Sequence, residues 1–241
     1  MTKTRNALVY LFILMGAISM LISSCEEDTA PLVSGTVTDM EGNIYHTVVI
    51  GEQLWMVENL ETTTYNDGTP IPELADNSAW IEDSTGAFCW YDNDSATYRS
   101  TYGALYNYIA VNTGKICPRG WHVPTDSEWT QLIDYLGGDS IACDMLKDAS
   151  DTNWIYSEKD TFTTNETGFT ALPGGSRDLK GKYSKIGSIG IWWASTDFDV
   201  YTSAKLKESY AYVFSINKDS VNVTIGANRY NMGFSIRCVR D

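Results

Sequence analysis

The chain has little positive charge. Seventeen lysines and arginines stand against 31 aspartates and glutamates among 241 residues, which gives a formal net charge of −14. The phosphate backbone of nucleic acids repels such an acidic protein, so the composition excludes nucleic acid as a partner. The simplest explanation of the acidity is that it keeps the protein soluble.

Histidine is scarce, and no two cysteines have the Cys-x-x-Cys spacing. The two histidines, His46 and His122, lie far apart in the sequence. Structural zinc sites need clusters of such ligands, so we expect no metal site and no cofactor. A Ser-His-Asp arrangement is missing as well, and each histidine is expected at a surface or an interface.

Calcium-binding patterns are incomplete. Asp92-Asn93-Asp94 begins like an EF-hand loop, but Ala96 and Thr97 occupy positions that need an oxygen ligand and a glycine. The Glu-Pro-Asn and Gln-Pro-Asp triplets of calcium-dependent C-type lectins are also missing. Asx-turn chemistry explains the segment adequately.

No apolar run is long enough to span a membrane. The longest, residues 7–22, has 16 residues, whereas a transmembrane helix needs about 20. Lys3 and Arg5 precede this run, and Ser23 and Ser24 follow it. Residues 1–24 are therefore predicted to be a cleaved secretory signal. Its removal takes away two positive charges, so the net charge moves from −14 to −16.

The end of this segment resembles a bacterial lipobox. In Leu21-Ile22-Ser23-Ser24-Cys25 a branched apolar residue and two small residues precede a cysteine. The resemblance implies that Cys25 is lipidated and holds the chain at a membrane. The alternative is an ordinary signal with a cysteine there by chance.

Residues 25–34 are predicted to be an acidic tether between the lipid and a domain at 35–241. Glu26, Glu27 and Asp28 resemble the surface-export signal of Bacteroidetes lipoproteins. We therefore expect a lipid-anchored protein of the outer membrane, displayed at the cell surface.

Four cysteines remain in the exported chain: Cys89, Cys117, Cys143 and Cys238. An even number in an oxidising compartment predicts two disulfides. The spacing alone leaves all three connectivities open.

Strand patterns at both ends of the domain enclose helical patterns. Residues 36–60 predict an antiparallel meander, 190–196 a buried strand, and 210–241 a closing set of strands. Helices are predicted at 102–110, 125–136 and 139–149. This order indicates an α+β fold rather than a βαβ series.

Two helical details make specific predictions. Thr125 and Glu128 have the spacing of a capping box, which predicts a helix start there. In the third helix, Cys143 lies roughly 200° around the helical wheel from Ile141. Cys143 is therefore expected to point away from the core.

Six separated motifs resemble the Fibrobacter succinogenes major paralogous domain. They are "GNIYHTVVIGEQLWMVENL", "YGALYNY", "CPRGWHVPTDSEWTQLIDYLGG", "GFTALPGGSRD", "WWAST" and "GFSIRCVRD". The resemblance runs from about Val37 to Asp241. It implies an exported bacterial protein, often a lipoprotein of gut Bacteroidetes, and no established activity.

A more distant resemblance points to a fold. "GWHVPTDSEW" and the terminal "GFSIRCVRD" are similar to parts of the formylglycine-generating enzymes, whose fold is a variant of the C-type lectin-like fold. This implies chain ends that meet in a sheet, long loops, and a Cys117–Cys238 disulfide between the helix entry and the last strand. Cys89 and Cys143 would then form a second pair.

The activity of those enzymes is not expected here. They use two nearby cysteines late in the chain to bind copper and activate oxygen, whereas Cys238 stands alone in that part of this sequence. We expect no enzyme, and an oxidase of this type is the least favoured alternative.

Loop-like aromatics favour a binding function. Trp80, Trp90 and Tyr91 lie in irregular sequence, with Asp92 and Asp94 nearby. Aromatic faces pack on sugar rings while carboxylates accept hydrogen bonds from the hydroxyls, which predicts a non-catalytic binding or adhesion module for polysaccharide. Two alternatives stay open: the aromatics fill a loop-rich core, or the chain is a structural or assembly subunit that docks on a pilus or another surface protein.

Overall fold

Helices and antiparallel sheets alternate along the domain. The computed structural model describes residues 33–150, 152–155, 163–199 and 209–240, and Pro31–Asp241 forms one compact unit. Cys25 and the predicted signal lie outside the described residues. Within these ranges no helix combines the length and the apolarity that crossing a bilayer requires.

The first sheet brings the two ends of the domain together. Its order is β1-β2-β3-β11, and β11 pairs antiparallel with β3 through Val239–Trp55 and Arg240–Leu54. The bounds are β1 Val33–Thr38, β2 Ile44–Ile50, β3 Gln53–Met56 and β11 Val239–Arg240. The meander predicted at residues 36–60 is therefore confirmed.

The second sheet has the order β10-β9-β8. Its strands are β8 Ile189–Asp199, β9 Ser209–Asn217 and β10 Val223–Arg229. Four shorter strands form two ribbons: β4 Phe88–Cys89 with β5 Leu105–Tyr106, and β6 Ser176–Arg177 with β7 Tyr183–Ser184. Every strand pair within these sheets is antiparallel.

Five helices lie in the described ranges. They are α1 Asn77–Glu82, α2 Ser95–Tyr102, α3 Tyr108–Val111, α4 Asp126–Tyr135 and α5 Asp139–Leu146. The longest, α4, packs on β8 and β9, while α5 packs on β10. Helices and antiparallel sheets in one unit confirm the α+β class.

The start of α4 is fixed as its sequence predicts. The Thr125 hydroxyl accepts a hydrogen bond from Glu128 N at 3.1 Å, and the Glu128 carboxylate accepts one from Thr125 N at 2.7 Å. This reciprocal box satisfies two backbone donors at the helix entry. Trp129, Leu132 and Ile133 then face the core.

The prediction for the face of α5 is wrong. Cys143 is fully buried, whereas Ile141 is 51% exposed. The prediction placed Ile141 on the core face, but Ala142, Cys143 and Leu146 are the residues that point inward. The helix begins at Asp139, as predicted, and it ends at Leu146.

The helix predicted at 102–110 is also wrong. The chain leaves α2 at Gly103, which has φ +71°, and continues into β5 and the short helix α3. A Cβ on Gly103 would lie 2.7 Å from Leu60 O. Tertiary contact at this glycine therefore overrides the apolar periodicity.

Aromatic rings fill the core between the sheets and helices. Trp129 stacks on Phe214 with ring centroids 4.2 Å apart and an interplanar angle of 3°. Trp55 lies 4.7 Å from Trp129. Such pairs contribute about 0.5–1.5 kcal/mol beyond the burial of their surface.

Two buried arginines tie loops to this core. Arg237 lies 4.2 Å above the Phe169 ring and donates to Asn59 Oδ1 at 2.9 Å and Thr170 O at 3.1 Å. Arg177 lies 4.5 Å above Trp80 and donates to Ala75 O at 3.0 Å. The hydrogen-bond acceptors named here are neutral oxygens. Each guanidinium therefore holds irregular segments in place where no sheet hydrogen bonds do so.

Candidate functional site

The aromatic residues predicted to bind sugar are buried. Trp80 is 0% exposed, and Trp90 and Tyr91 are 5% and 6% exposed. The Trp80 indole N–H donates to Asn231 O at 2.9 Å, and Trp90 packs edge-on against Phe88. These ring faces cannot receive a ligand. The prediction of a sugar site on these aromatics is therefore wrong, and the alternative that they fill a loop-rich core is correct.

Asp92 and Asp94 are exposed, but Asp94 has a structural partner. Asp94 caps α2: its carboxylate accepts from Thr97 N at 3.1 Å and from Thr97 Oγ1 at 2.6 Å. The hydroxyl and backbone hydrogen bonds from Thr97 hold the pKa of Asp94 below its usual value. Asp92 adopts φ +51° in the preceding turn. Asx chemistry therefore accounts for the segment.

A disulfide joins Cys117 to Cys238. The Cα atoms are 6.0 Å apart, and 121 residues separate the two cysteines. The bond ties the segment before α4 to the residue that directly precedes the last strand, β11. It agrees with the connectivity that the resemblance implied.

The predicted Cys89–Cys143 disulfide is not formed. Both thiols are free and buried, and they belong to different apolar clusters. Cys89 packs with Trp80, Tyr91 and Leu105, whereas Cys143 donates to Ser220 O at 3.3 Å. Burial raises the pKa of the Cys89 thiol to about 11. Both cysteines therefore act as small core residues.

Each histidine contacts a glutamate carboxylate. His122 Nε2 lies 2.6 Å from Glu128 Oε1, and His46 Nδ1 lies 2.7 Å from Glu58 Oε1. Since Glu128 also closes the capping box of α4, its contact with His122 helps to fix the helix entry. Among the described residues, no group of three or more His, Cys, Asp or Glu side chains could hold a metal ion.

An open groove lies between the β2–β3 turn and the outer face of α4. Its volume is about 750 Å³, within the size range of small-ligand sites. The lining residues are Ile50, Gly51, Glu52, Gln53, Ser127, Thr130, Gln131, Asp134 and Tyr135. We call it the Tyr135 groove.

Tyr135 is the one exposed aromatic residue in the part of the chain that the structure describes. Its exposed fraction is 65%. The ring lies against Gly51 in the β2–β3 turn, where a Cβ would be 3.0 Å from two ring carbons. Contact with the turn on one side leaves the other side of the ring to the groove and solvent.

Hydrogen-bonding groups surround this ring. Glu52, Gln131 and Asp134 line the groove and are exposed. The buried side chain of Gln53 forms part of the floor and is held at both ends: it donates to Glu128 O at 3.1 Å and accepts from Trp55 Nε1 at 3.2 Å. The groove therefore combines an aromatic surface, carboxylates and amides on a rigid base.

The sequence contains one signal for this groove that is not part of any motif. Tyr135 follows the buried positions of α4 but falls on its polar face, next to Asp134. An exposed tyrosine on the solvent face of a helix is informative, because large apolar side chains usually lie on the buried face. The contact of Tyr135 with Gly51, which lies 84 positions earlier (135 − 51), depends on the fold and cannot be predicted from the spacing in the sequence.

The fold is an α+β domain whose last strand joins the first meander and is held there by a disulfide. The Fibrobacter succinogenes major domain model matches residues 48–240, and the chain belongs to this family. This confirms the kinship that the six motifs predicted. No curated protein and no solved structure matches the chain significantly.

Proposed function

We propose that the chain is a lipid-anchored surface protein that binds neutral polysaccharide, without catalysis, in the Tyr135 groove. The observation that carries the proposal is the exposed ring of Tyr135, backed by Gly51 and flanked by Glu52 and Asp134. A non-catalytic binding function is the one that the sequence analysis expected from loop aromatics, although those aromatics are buried. The site differs from the aromatic cluster that the sequence suggested.

The chemistry of the groove suits a sugar ring. A tyrosine ring offers an apolar face for the axial C–H groups of a pyranose, with little conformational entropy to lose because the side chain has two rotatable bonds. Carboxylates and amides accept and donate hydrogen bonds at the equatorial hydroxyls. Gln131 precedes Tyr135 by four residues on α4 and Asp134 precedes it by one, and both line the groove with the ring.

The negative charge of the Tyr135 groove favours neutral glycans as ligands. Glu52 and Asp134 line the groove, and no lysine, arginine or histidine does so. A uronic acid or sulfated sugar would meet like charge at this surface, which opposes binding. We therefore expect discrimination between neutral and acidic polysaccharides of similar size.

We also infer that the domain has a C-type lectin-like arrangement. In support, β11 pairs with β3 so that the two chain ends share a sheet, and the Cys117–Cys238 bond ties the last strand to the approach of α4.

The lipid anchor is proposed from the lipobox resemblance around Cys25. Labelled palmitate should enter the full-length chain in a Gram-negative host and should not enter the Cys25→Ala variant. Equal labelling of both would contradict the anchor.

The binding proposal is tested by pull-down on insoluble neutral glucan and by a glycan array that includes polygalacturonate. We expect retention on neutral glycans and none on polygalacturonate. No neutral glycan bound, or preference for the acidic polymer, would contradict the proposal. A co-purified surface protein whose binding is lost with Tyr135→Ala would instead favour the assembly subunit.

A further inference from the structure

A second groove lies on the outer face of the first sheet. Its volume is about 570 Å³. Strand β1 forms one side, and the segment before α4 and the end of β11 form the other. Its lining includes Ser34, Val49, Leu54, Arg119, Trp121 and Arg240. We call it the arginine groove.

The sheet register places apolar and basic side chains in one row. Val49 pairs with Leu54, and Leu54 pairs with Arg240. The Arg240 guanidinium then lies 5.4 Å from the centroid of the Trp121 ring. Val49 is 48% exposed, so the row presents apolar surface next to a cation that stacks on an indole.

The lining of the arginine groove is positively charged, whereas the chain as a whole is negatively charged. Its lining contains two arginines and no aspartate or glutamate, although the chain as a whole has a net charge of −14. Arg119 and Arg240 are both exposed, and in the described ranges neither forms an ion pair with a carboxylate. Arg119 donates through Nε to Asn66 O at 3.3 Å, which leaves its terminal nitrogens for an external anion.

Some surface cations among the described residues have acidic partners. Arg99 pairs with Glu61 at 3.0 Å, and Lys115 pairs with Asp67 at 2.9 Å. The two groove arginines are different because they stand beside one indole and one apolar row with no acid between them. A planar guanidinium beside an apolar surface suits the phosphate of a lipid headgroup at the edge of a bilayer.

We propose that the arginine groove binds the phosphate headgroups of the anionic lipid surface to which the chain is anchored. This inference rests on the proposed lipid at Cys25. Ser34, at the rim of the groove, follows Cys25 by nine residues (34 − 25). Nine extended residues span about 30 Å at most, so the groove stays within reach of the membrane.

The acidity of the rest of the chain does not prevent this contact. Charges farther than about 8 Å from the headgroups are screened at physiological ionic strength, so the sign of the contacting patch decides the interaction. Each arginine at an anionic surface strengthens binding about fivefold, and the pair about 30-fold. Such a patch, added to a lipid chain, would orient the domain with the first sheet toward the bilayer.

The test uses residues 26–241, which contain the whole compact unit and no lipid. Binding is measured by the loss of NMR signal intensity on addition of vesicles made of equal parts phosphatidylglycerol and phosphatidylcholine. We expect binding that is absent with pure phosphatidylcholine, that weakens with added salt, and that falls about 30-fold in the double variant Arg119→Gln/Arg240→Gln. The matched control is Lys180→Gln/Lys182→Gln, which removes the same charge from two exposed positions elsewhere and should bind as wild type.

Equal binding by the arginine variant and wild type, or no binding to the anionic vesicles, would overturn the proposal. Shifts of the Trp121 indole signal with inorganic phosphate but none with phosphatidylglycerol would also overturn it, in favour of a free anion. Because the fragment carries no acyl chain, these results are independent of palmitate labelling at Cys25. They are also independent of glycan binding, which is measured at the Tyr135 groove.

Discussion

The ring of Tyr135 rests on Gly51. A Cβ at Gly51 would lie 3.0 Å from the Cγ and Cδ2 atoms of that ring, and Gly51 has φ +63°. The turn between β2 and β3 therefore needs a glycine for two reasons, its backbone conformation and the ring that covers it. The one exposed aromatic residue among those described owes its position to this contact.

Replacing this glycine should displace the ring. In Gly51→Ala we expect a loss of about 1–2 kcal/mol from the left-handed backbone, together with movement of Tyr135 and loss of glycan binding. Gly42→Ala is the matched control, because Gly42 has φ +89° and nothing within 4 Å of its Cβ position. Urea unfolding and glycan affinity are measured on both variants. Loss of binding in Gly42→Ala, or unchanged binding in Gly51→Ala, would contradict the role of the contact.

Removing the disulfide should destabilise the domain strongly. Cys117 and Cys238 close a loop of 121 residues, for which the chain-entropy relation gives about 4–5 kcal/mol. Cys117→Ser/Cys238→Ser should show this loss of unfolding free energy in urea. Reductant should destabilise wild type to a similar extent and leave the double variant unchanged. A wild-type domain insensitive to reductant would contradict the bond's contribution.

Thiol titration checks the two free cysteines. Residues 26–241 should show two reactive thiols when denatured without reductant and none when native, because Cys89 and Cys143 are both buried. Four thiols, or none, in the denatured chain would contradict the disulfide assignment.

The pH dependence of Cys89 has a defined sign. Burial raises the pKa of its thiol from 9.0 to about 11, so the folded state favours the protonated form. The contribution of the protonated Cys89 thiol to the free energy of unfolding is fully present below pH 9 and is lost as the pH rises toward 11. Cys89→Ala should remove that part of the alkaline loss in urea unfolding at several pH values. An identical pH profile in the variant would contradict the assignment.

Much of the fold was predictable from the sequence because the signals were local. Thr125 and Glu128 specified the start of α4, and alternation around Gly42 and Gly51 specified the first meander. The Cys117–Cys238 disulfide was implied by the resemblance to the formylglycine-generating enzymes. The helix start and the meander depend on residues that are neighbours in sequence.

The missed features depend on tertiary contact. The helix predicted at 102–110 fails because Gly103 lies against Leu60 O, and the orientation of α5 is set by its packing on β10. The burial of Trp80 under Arg177 likewise joins residues about 100 positions apart (177 − 80 = 97). A loop-like pattern identifies irregular backbone, but it does not tell which loop side chains the fold will cover.

The buried arginine of the core should be expensive to replace. In Arg237→Leu, Phe169 O and Thr170 O lose a donor, whereas Asn59 Oδ1 keeps its hydrogen bond from Trp192 Nε1. Buried acceptors without partners cost about 1–3 kcal/mol each. We expect a loss of about 3 kcal/mol in urea unfolding. Arg99→Leu, which breaks the half-exposed pair with Glu61, should cost about 1 kcal/mol or less. Similar losses in the two variants would contradict the role given to Arg237.

The most direct measurement is the affinity of a neutral oligosaccharide for Tyr135→Ala, determined by calorimetry beside Tyr98→Ala. Tyr98 is a half-exposed ring next to the residues first predicted to bind sugar, so it serves as the matched control. We predict binding about tenfold weaker or lost in Tyr135→Ala and unchanged in Tyr98→Ala. Wild-type affinity in Tyr135→Ala, or loss in Tyr98→Ala alone, would contradict the Tyr135 groove as the glycan site.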